Sequence, residues 1–323
     1  MSRKNIFFLV CLAALVIYKT VQFISYINPK KISIATWNVQ TFFDADFSGN
    51  EYSDYASTKN GWSEEKYYTR LLRLADALDA IDADIIALEE IESLKVVYDI
   101  VNVLPYAGKF HYAVFASQPG SSLGVLVFSR YPITDAVAHQ LQIPQVLPKT
   151  LRPILEVHVR MPRQDVVLFV NHWKSKASGG EMSQILRQCQ QALLADCIAE
   201  LKQQKNYDNA VIIALGDFNQ KTEEFQIDYA AKEVLLNGIQ NTEKVKSVWL
   251  EQAVSGDGSY FFRDSWEQID HIFLASDNVS FGECGTVSKR MFLRQDGMPA
   301  SYRIYSGSGL SDHLPLKDEL LKR

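Results

Sequence analysis

Cysteine is scarce in this chain: four in 323 residues, Cys11, Cys189, Cys197 and Cys284, with no C-x-x-C pair. That excludes a disulfide framework and gives no support to a zinc site built on paired thiolates. Cys189 and Cys197 stand eight apart on one helical stripe, too far along a helix to be bridged. Internal repeats, low-complexity tracts and Pro- or Ser-rich linkers are also missing, which points to one domain behind the N-terminus. An excess of positive charge is missing too. The net charge is −5, and residues 1–31 hold five basic side chains and no acid, so the remainder has 28 basic against 38 acidic residues, a balance of −10. A strong nonspecific nucleic-acid binder carries the opposite footprint. Acidic residues that partly serve a cation fit the balance better.

What the chain does have is apolar content, 47%, enough for a sizeable packed core and too much for disorder. Its one long apolar run is N-terminal: Arg3 and Lys4 precede thirteen apolar residues, Ile6 to Tyr18, before Lys19 interrupts and "VQFISYI" continues. That length suits the core of a signal peptide, roughly 7–15 residues, whereas a spanning helix needs about 20. No small-x-small cleavage site follows, which favours an uncleaved anchor reaching Ile27 over a cleaved signal. A buried helix is the third reading. Either of the first two leaves the rest of the chain outside the cytoplasm, membrane-anchored or secreted.

After Lys31 strands and helices alternate. "ISIATWNVQ" and "ADIIALEE" read as strands around a helix, "SEEKYYTRLLRLADALDAI", capped by Ser63 with Glu64 and Glu65 in its first turn. Further strands are "SSLGVLVFSRYPI", "RPILEVHVR", "DVVLFVNHW", "AVIIALGDFN" and "IDHIFLAS". A second helix from about Ser183 to Lys205 has Leu186, Cys189, Leu193, Cys197 and Leu201 as its buried stripe. Two main helices among many short strands predict sheets stacked face to face with helices outside.

Polar residues recur where these strands end: Asn38, Glu89 and Glu90, His172, Asp217 and Asn219, Asp270, then Asp312 and His313 near the C-terminus. A single Asp or Asn is an ordinary turn residue. Six strand boundaries with the same chemistry predict convergence at one sheet edge. Hard carboxylate and amide oxygens hold Mg²⁺ or Mn²⁺, and a histidine held by an aspartate handles a proton. The chemistry expected of such a cluster is attack of water on a phosphate ester.

In this order, "TWNVQ", "DIIALEEI", "VNHWKSK", "GDFNQ", "QIDHIF" and "SDHLPL" resemble the endonuclease/exonuclease/phosphatase superfamily of DNase I-like enzymes, over about Ile32 to Leu316. The contexts "NHWKSK" and "YSGSGLSDHLP" are most similar to bacterial extracellular or surface nucleases of that superfamily. The resemblance implies an α+β fold, a four-layer α/β/β/α sandwich of two mixed sheets with outer helices. Residues 1–30 would be the signal-anchor or signal peptide and residues 31–323 the catalytic domain. It implies Asn38, Glu90 and Asp312 as metal-side residues, and His172, Asp217, Asn219, Asp270 and His313 as catalytic, with Asp270 fixing the His313 tautomer. Alternation along a strand sends only one of Glu89 and Glu90 into the site, and Glu90 is the one taken.

Arg152 stands where relatives have a phosphate-contacting arginine, or else in a surface salt bridge. Lys174 and Lys176 line a groove for a substrate backbone, or else a solvated loop. Gln40 replaces an acid of DNA-repair relatives, which weighs against base-excision repair. The implied activity is metal-dependent phosphodiester hydrolysis: a nuclease on DNA or RNA, or alternatively a phosphodiesterase or phosphatase on lipid headgroups or inositol phosphates. Nucleic acid is the expected partner, the membrane is contacted through the N-terminal segment, and the sequence identifies no protein partner. A scaffold that had lost the chemistry should lack some of these residues, and none is missing.

Overall fold

The computed structural model describes residues 31–322, apart from 57–59, 105–109, 142, 144–150, 163, 177–178 and 252–253. The N-terminal apolar run therefore lies outside the described residues. Among those described, no helix is long and apolar enough to cross a membrane.

Two βαβ units lie at the centre of the architecture. In the first, β1 (Lys31–Phe42) leads through helix α1 (Glu64–Ile81) into β2 (Ile85–Ile91), which pairs parallel to β1. In the second, β7 (Val166–His172) leads through helix α3 (Gly180–Lys202) into the parallel β8 (Val211–Asp217). The Ser63 hydroxyl accepts from the Lys66 amide, so α1 starts where its cap residue predicts. A parallel pair requires a crossover of this kind, which puts one helix outside each sheet.

Antiparallel strands extend both pairs. The first sheet runs β15 (Val279–Ser280), β17 (Leu316–Lys322), β1, β2, β4 (Gly124–Ser129), β3 (Tyr112–Ala116), with β16 (Cys284–Thr286) also on β17. The second runs β5 (Ile133–His139), β6 (Ile154–Val159), β7, β8, β14 (Asp270–Leu274), β11 (Thr242–Ser247), β10 (Glu233–Asn237), β9 (Gln226–Asp228). A short hairpin of β12 (Tyr260–Phe262) and β13 (Ser265–Glu267) stands apart.

The apolar pattern decides how these sheets stack. Strands β2 and β8 are buried on both faces, so each sheet must be covered twice. Ile34, Ile85, Val127, Leu168, Ile213 and Ile272 form the core between the sheets. Trp37, Leu71, Leu78, Leu88 and Val96 fill the layer under α1 and helix α2 (Leu94–Val103). Phe169, Leu194, Ile198, Ala214 and Phe273 fill the layer under α3. The result is the expected four-layer α/β/β/α sandwich. One expectation shifts: the buried stripe of α3 runs through Leu186, Gln190, Leu194, Ile198 and Leu201, with Cys197 inside it and Cys189 only half-buried.

Candidate active site

The inter-sheet face turns polar at one end of the sandwich while keeping its period of two. Ile34 is followed on that face by Thr36 and Asn38, Ala87 by Glu89, Val170 by His172, and Leu215 by Asp217, while Asp270 precedes Ile272. Gly216 lets β7 and β8 meet there, since a Cβ at its φ of +133° would stand 1.9 Å from the Asn171 carbonyl oxygen. The polar residues thus complete the core strands and close one end of the sandwich.

Asn38 donates from Nδ2 to Glu90 Oε1 at 3.2 Å and to Asp217 Oδ2 at 3.0 Å. His172 lies against the same two groups, Nε2 being 3.6 Å from Glu90 Oε1 and 3.8 Å from Asp217 Oδ2. Asp217 Oδ1 accepts the Asn219 amide at 2.8 Å, and Asn219 Nδ2 reaches the Trp173 carbonyl at 3.3 Å. Asn219 has a φ of +48°, a left-handed conformation that asparagine tolerates. His313 Nδ1 is 2.7 Å from Asp270 Oδ2, which also accepts the Ser259 hydroxyl at 2.6 Å. The carboxylate fixes the proton on Nδ1. Trp37 Nε1 bonds the His313 carbonyl at 2.9 Å, tying the C-terminal loop to β1.

Glu89 departs from expectation. β2 bulges between Glu89 and Ile91, and Glu90 has a φ of +69°, so alternation breaks there and both glutamates turn toward the site. Glu90 takes Asn38 and the Thr41 amide. Glu89 is wholly buried, with Oε1 accepting the Thr36 hydroxyl at 2.7 Å and Oε2 without a partner.

Crowded acids set the electrostatics. Burial, then the neighbouring Asp270 carboxylate, pushes Asp217 up to about 7. Burial also lifts Asp312, with His313 opposing and Glu90 reinforcing. Glu89 is pushed well above the usual carboxylate range by burial, Thr36 opposing and Asp270 and Asp217 adding to it. The two histidines diverge. Burial works against charge on His313, but Asp270, Asp312 and Asp217 outweigh it and hold the ring well above 6.5. Burial keeps His172 well below 6.5, and the positive charges of Arg152 and His313 act the same way.

The site fits a divalent cation. The carboxylates of Asp217 and Asp270 come within 4.8 Å of each other, with the His313 ring beside them, and the acids Glu90 and Asp312 adjoin them. Asp270 Oδ1, like Glu89 Oε2, is buried without a partner. Asn38 is turned with its amide nitrogen to the carboxylates and its Oδ1 taken by the Gln40 amide at 2.9 Å. It therefore ties Glu90 to Asp217 beside the metal-side acids.

The charge of Arg152 acts on Tyr52, His172 and Lys174, which puts it near His172 and the site. Lys176 pairs its ammonium with Glu224 on a partly exposed surface. His271 faces α3, with Nε2 2.8 Å from the Gln220 carbonyl, opposite to Asp270 as alternation requires. Sequence reasoning missed Thr36, Ser259, Tyr52 and Tyr260, and set Glu89 aside in favour of Glu90. The Tyr260 ring packs on His313 at 4.7 Å and on Phe262 at 6.1 Å. A single hydroxyl or aromatic ring carries no pattern in the sequence that marks it as part of a site.

Residues 33–322 match the Endonuclease/Exonuclease/phosphatase family, and the chain belongs to it. Members of this family are phosphoester hydrolases that typically use divalent metals. No curated protein sequence matches significantly. Among solved structures, truncated Caenorhabditis elegans TDP2 aligns with a TM-score of 0.59 and 12% identity, covering 91% of this chain and 99% of that one. A Bacteroides thetaiotaomicron mannosyl-6-phosphatase aligns at 0.57 and 18%, covering 90% and 99%. A functionally unknown conserved protein from Enterococcus faecalis aligns at 0.59 and 14%, covering 90% and 100%. At these identities the likeness carries the fold alone.

Proposed function

We propose that this chain is a metal-dependent phosphodiester hydrolase, a nuclease acting on DNA or RNA outside the cytoplasm. The observation that carries the reading is the convergence of Asn38, Glu90, His172, Asp217 and the Asp270–His313 pair at one sandwich end, where burial and nearby charges push the two histidines in opposite directions. Environments that drive two histidines apart in protonation sort acid from base. His313, held by Asp270, binds a phosphate oxygen as a cation. Asp217, steadied by the Asn219 amide, takes the proton of the attacking water. His172 bonds the phosphate or the departing oxygen. Glu90 and Asp312 would hold Mg²⁺ or Mn²⁺, which when bound supplies charge neutralisation at the phosphoryl group. Arg152 and Lys174 complete the anion contacts.

The stacked Tyr260 and Phe262 favour a substrate with planar rings, because base-on-aromatic stacking contributes about 1–3 kcal/mol per base. The second reading is a phosphatase or phosphodiesterase on small phosphorylated molecules, lipid headgroups included. It is favoured by the −10 balance after residue 31 and by the pairing of Lys176 with Glu224, which leaves fewer cations for a long polyanion.

The test is incubation of the full chain with plasmid DNA, single-stranded RNA, mannose 6-phosphate and bis-p-nitrophenyl phosphate. Mg²⁺, Mn²⁺ or EDTA is added to each. Nucleic-acid cleavage that needs metal and drops by about 10²–10⁴ in His313→Ala supports the nuclease. Turnover of the small esters alone moves the assignment to the second reading. The N-terminal apolar run supports the location, and protease shaving of intact cells that spares the domain would overturn it.

A further inference from the structure

Arg70 lies on α1, wholly buried, and makes no ion pair with an acid among the described residues. An isolated buried cation costs several kcal/mol unless its donors are satisfied, on the order estimated for such charges. Here Nε has no partner, Nη1 reaches the Tyr55 hydroxyl at 3.2 Å, and the remaining satisfaction comes from one short stretch of backbone. Nη2 donates to the Val39 carbonyl at 2.9 Å and to the Gln40 carbonyl, and Nη1 to the Thr41 carbonyl at 3.0 Å. The Phe42 and Tyr302 rings flank the guanidinium at 4.6 and 3.8 Å.

That stretch is where β1 loses register with β2, the pairing jumping from Asn38↔Glu89 to Phe42↔Ile91. Gln40 and Thr41 have φ of +54° and +46°, which L-residues adopt only under constraint. The opposite edges of the same peptide planes face the site. The Val39–Gln40 peptide gives its carbonyl to Arg70 and its N–H to Asn38 Oδ1. The Gln40–Thr41 peptide gives its carbonyl to Arg70 and its N–H to Glu90 Oε2. In a trans peptide the two groups point in opposite directions, so holding the carbonyls aims the amides. The cation also polarises each peptide and strengthens its N–H as a donor.

We infer that Arg70 is a positioning residue for the metal side of the site, acting through two peptide planes on Asn38 and Glu90. This rests on the reading that Glu90 holds the metal. The fork is needed as well as the charge: a lysine can meet only part of a three-carbonyl cradle flanked by rings.

The test is Mn²⁺ titration calorimetry of the full chain in detergent micelles, on variants first checked by circular dichroism and Tm. Arg70→Lys is expected to weaken Mn²⁺ binding about tenfold, the scale at which residues behind a ligand act. Combined with Glu90→Gln it should add little further loss, because both act on one ligand. Tyr302→Leu keeps the cation, removes the ring beneath it and should weaken binding in the same direction, so the inference remains testable if Arg70→Lys does not fold. A folded Arg70→Lys or Tyr302→Leu chain with lowered Tm and wild-type Mn²⁺ affinity would mark Arg70 as structural and overturn the inference. A wild-type chain whose Mn²⁺ binding ignores Glu90→Gln has a different signature and overturns the metal reading, and this inference with it.

Discussion

Glu89 shows how a single residue can mislead. A strand period of two sends consecutive side chains to opposite faces, yet a bulge with Glu90 at φ +69° brings both glutamates to one site. Nothing in "ALEEI" announces a bulge, and the matching register break lies on the neighbouring strand, between Asn38 and Phe42. Glu89 is buried with one oxygen unpartnered, and burial holds its pKa well above the usual value. A carboxyl raised in the folded state loses stability as pH rises above its unfolded value of about 4.3. Glu89→Gln keeps an acceptor for the Thr36 hydroxyl and removes the charge. It should raise Tm at pH 7 and lose that advantage below about pH 4, which paired melts across that range would check. An advantage independent of pH would mean that packing, and not charge, sets the difference.

At the scale of elements, α1, β2, β7 and β8 were legible because each has several periods of pattern and a clear cap or boundary. The short β9, β12, β13, β15 and β16, of two or three residues, contain hardly one period and were not. Helix α2 was overlooked although Ser93 caps it from the Val96 amide, because its ten residues read equally as an apolar strand. The stripe of α3 was set one step off by anchoring it on cysteines.

Pairing of β5 with β6 brings together three residues that belong to no motif. His139 Nε2 and His158 Nε2 sit 2.6 and 2.5 Å from the two oxygens of Glu156. Interaction with Cys197 and then Glu156 raises His139 to about 10. Burial opposes ionisation of Glu156, but the two histidines outweigh it and lower the group to about 2. The Glu156 contribution is full above about pH 4.3 and fades as pH falls toward 2, and the His139 contribution is full below about pH 6.5 and fades as pH rises toward 10. Glu156→Gln should therefore cost most Tm between roughly pH 4.3 and 6.5, and progressively less on either side. Thermal melts from about pH 3 to 10 measure the difference, and a loss that is flat with pH would show that the clamp carries no charge.

At the scale of the whole molecule, the sandwich could be read because buried strands and two crossover helices leave few other ways to cover every apolar face. The substrate could not, since the same inter-sheet end serves polyanions and small esters alike. Charge separates the two. Beyond residue 31 the chain carries −10, a net repulsion for a polyanion that Arg152, Lys174 and His313 offset at the site. Each phosphate bound displaces condensed counterions, so a nuclease with about three such contacts should lose affinity with a log–log salt slope near −2 to −3. A small monoester displaces none and should show a nearly flat KM. Measuring KM for an oligonucleotide and for mannose 6-phosphate between 50 and 300 mM KCl, about the range where screening changes most, separates these outcomes. A steep oligonucleotide slope that Arg152→Ala reduces by about one supports the nuclease and places Arg152 on a phosphate. Slopes near zero for both substrates would leave the cations of this site too few to track a nucleic-acid backbone, and the small phosphate ester would become the substrate of choice.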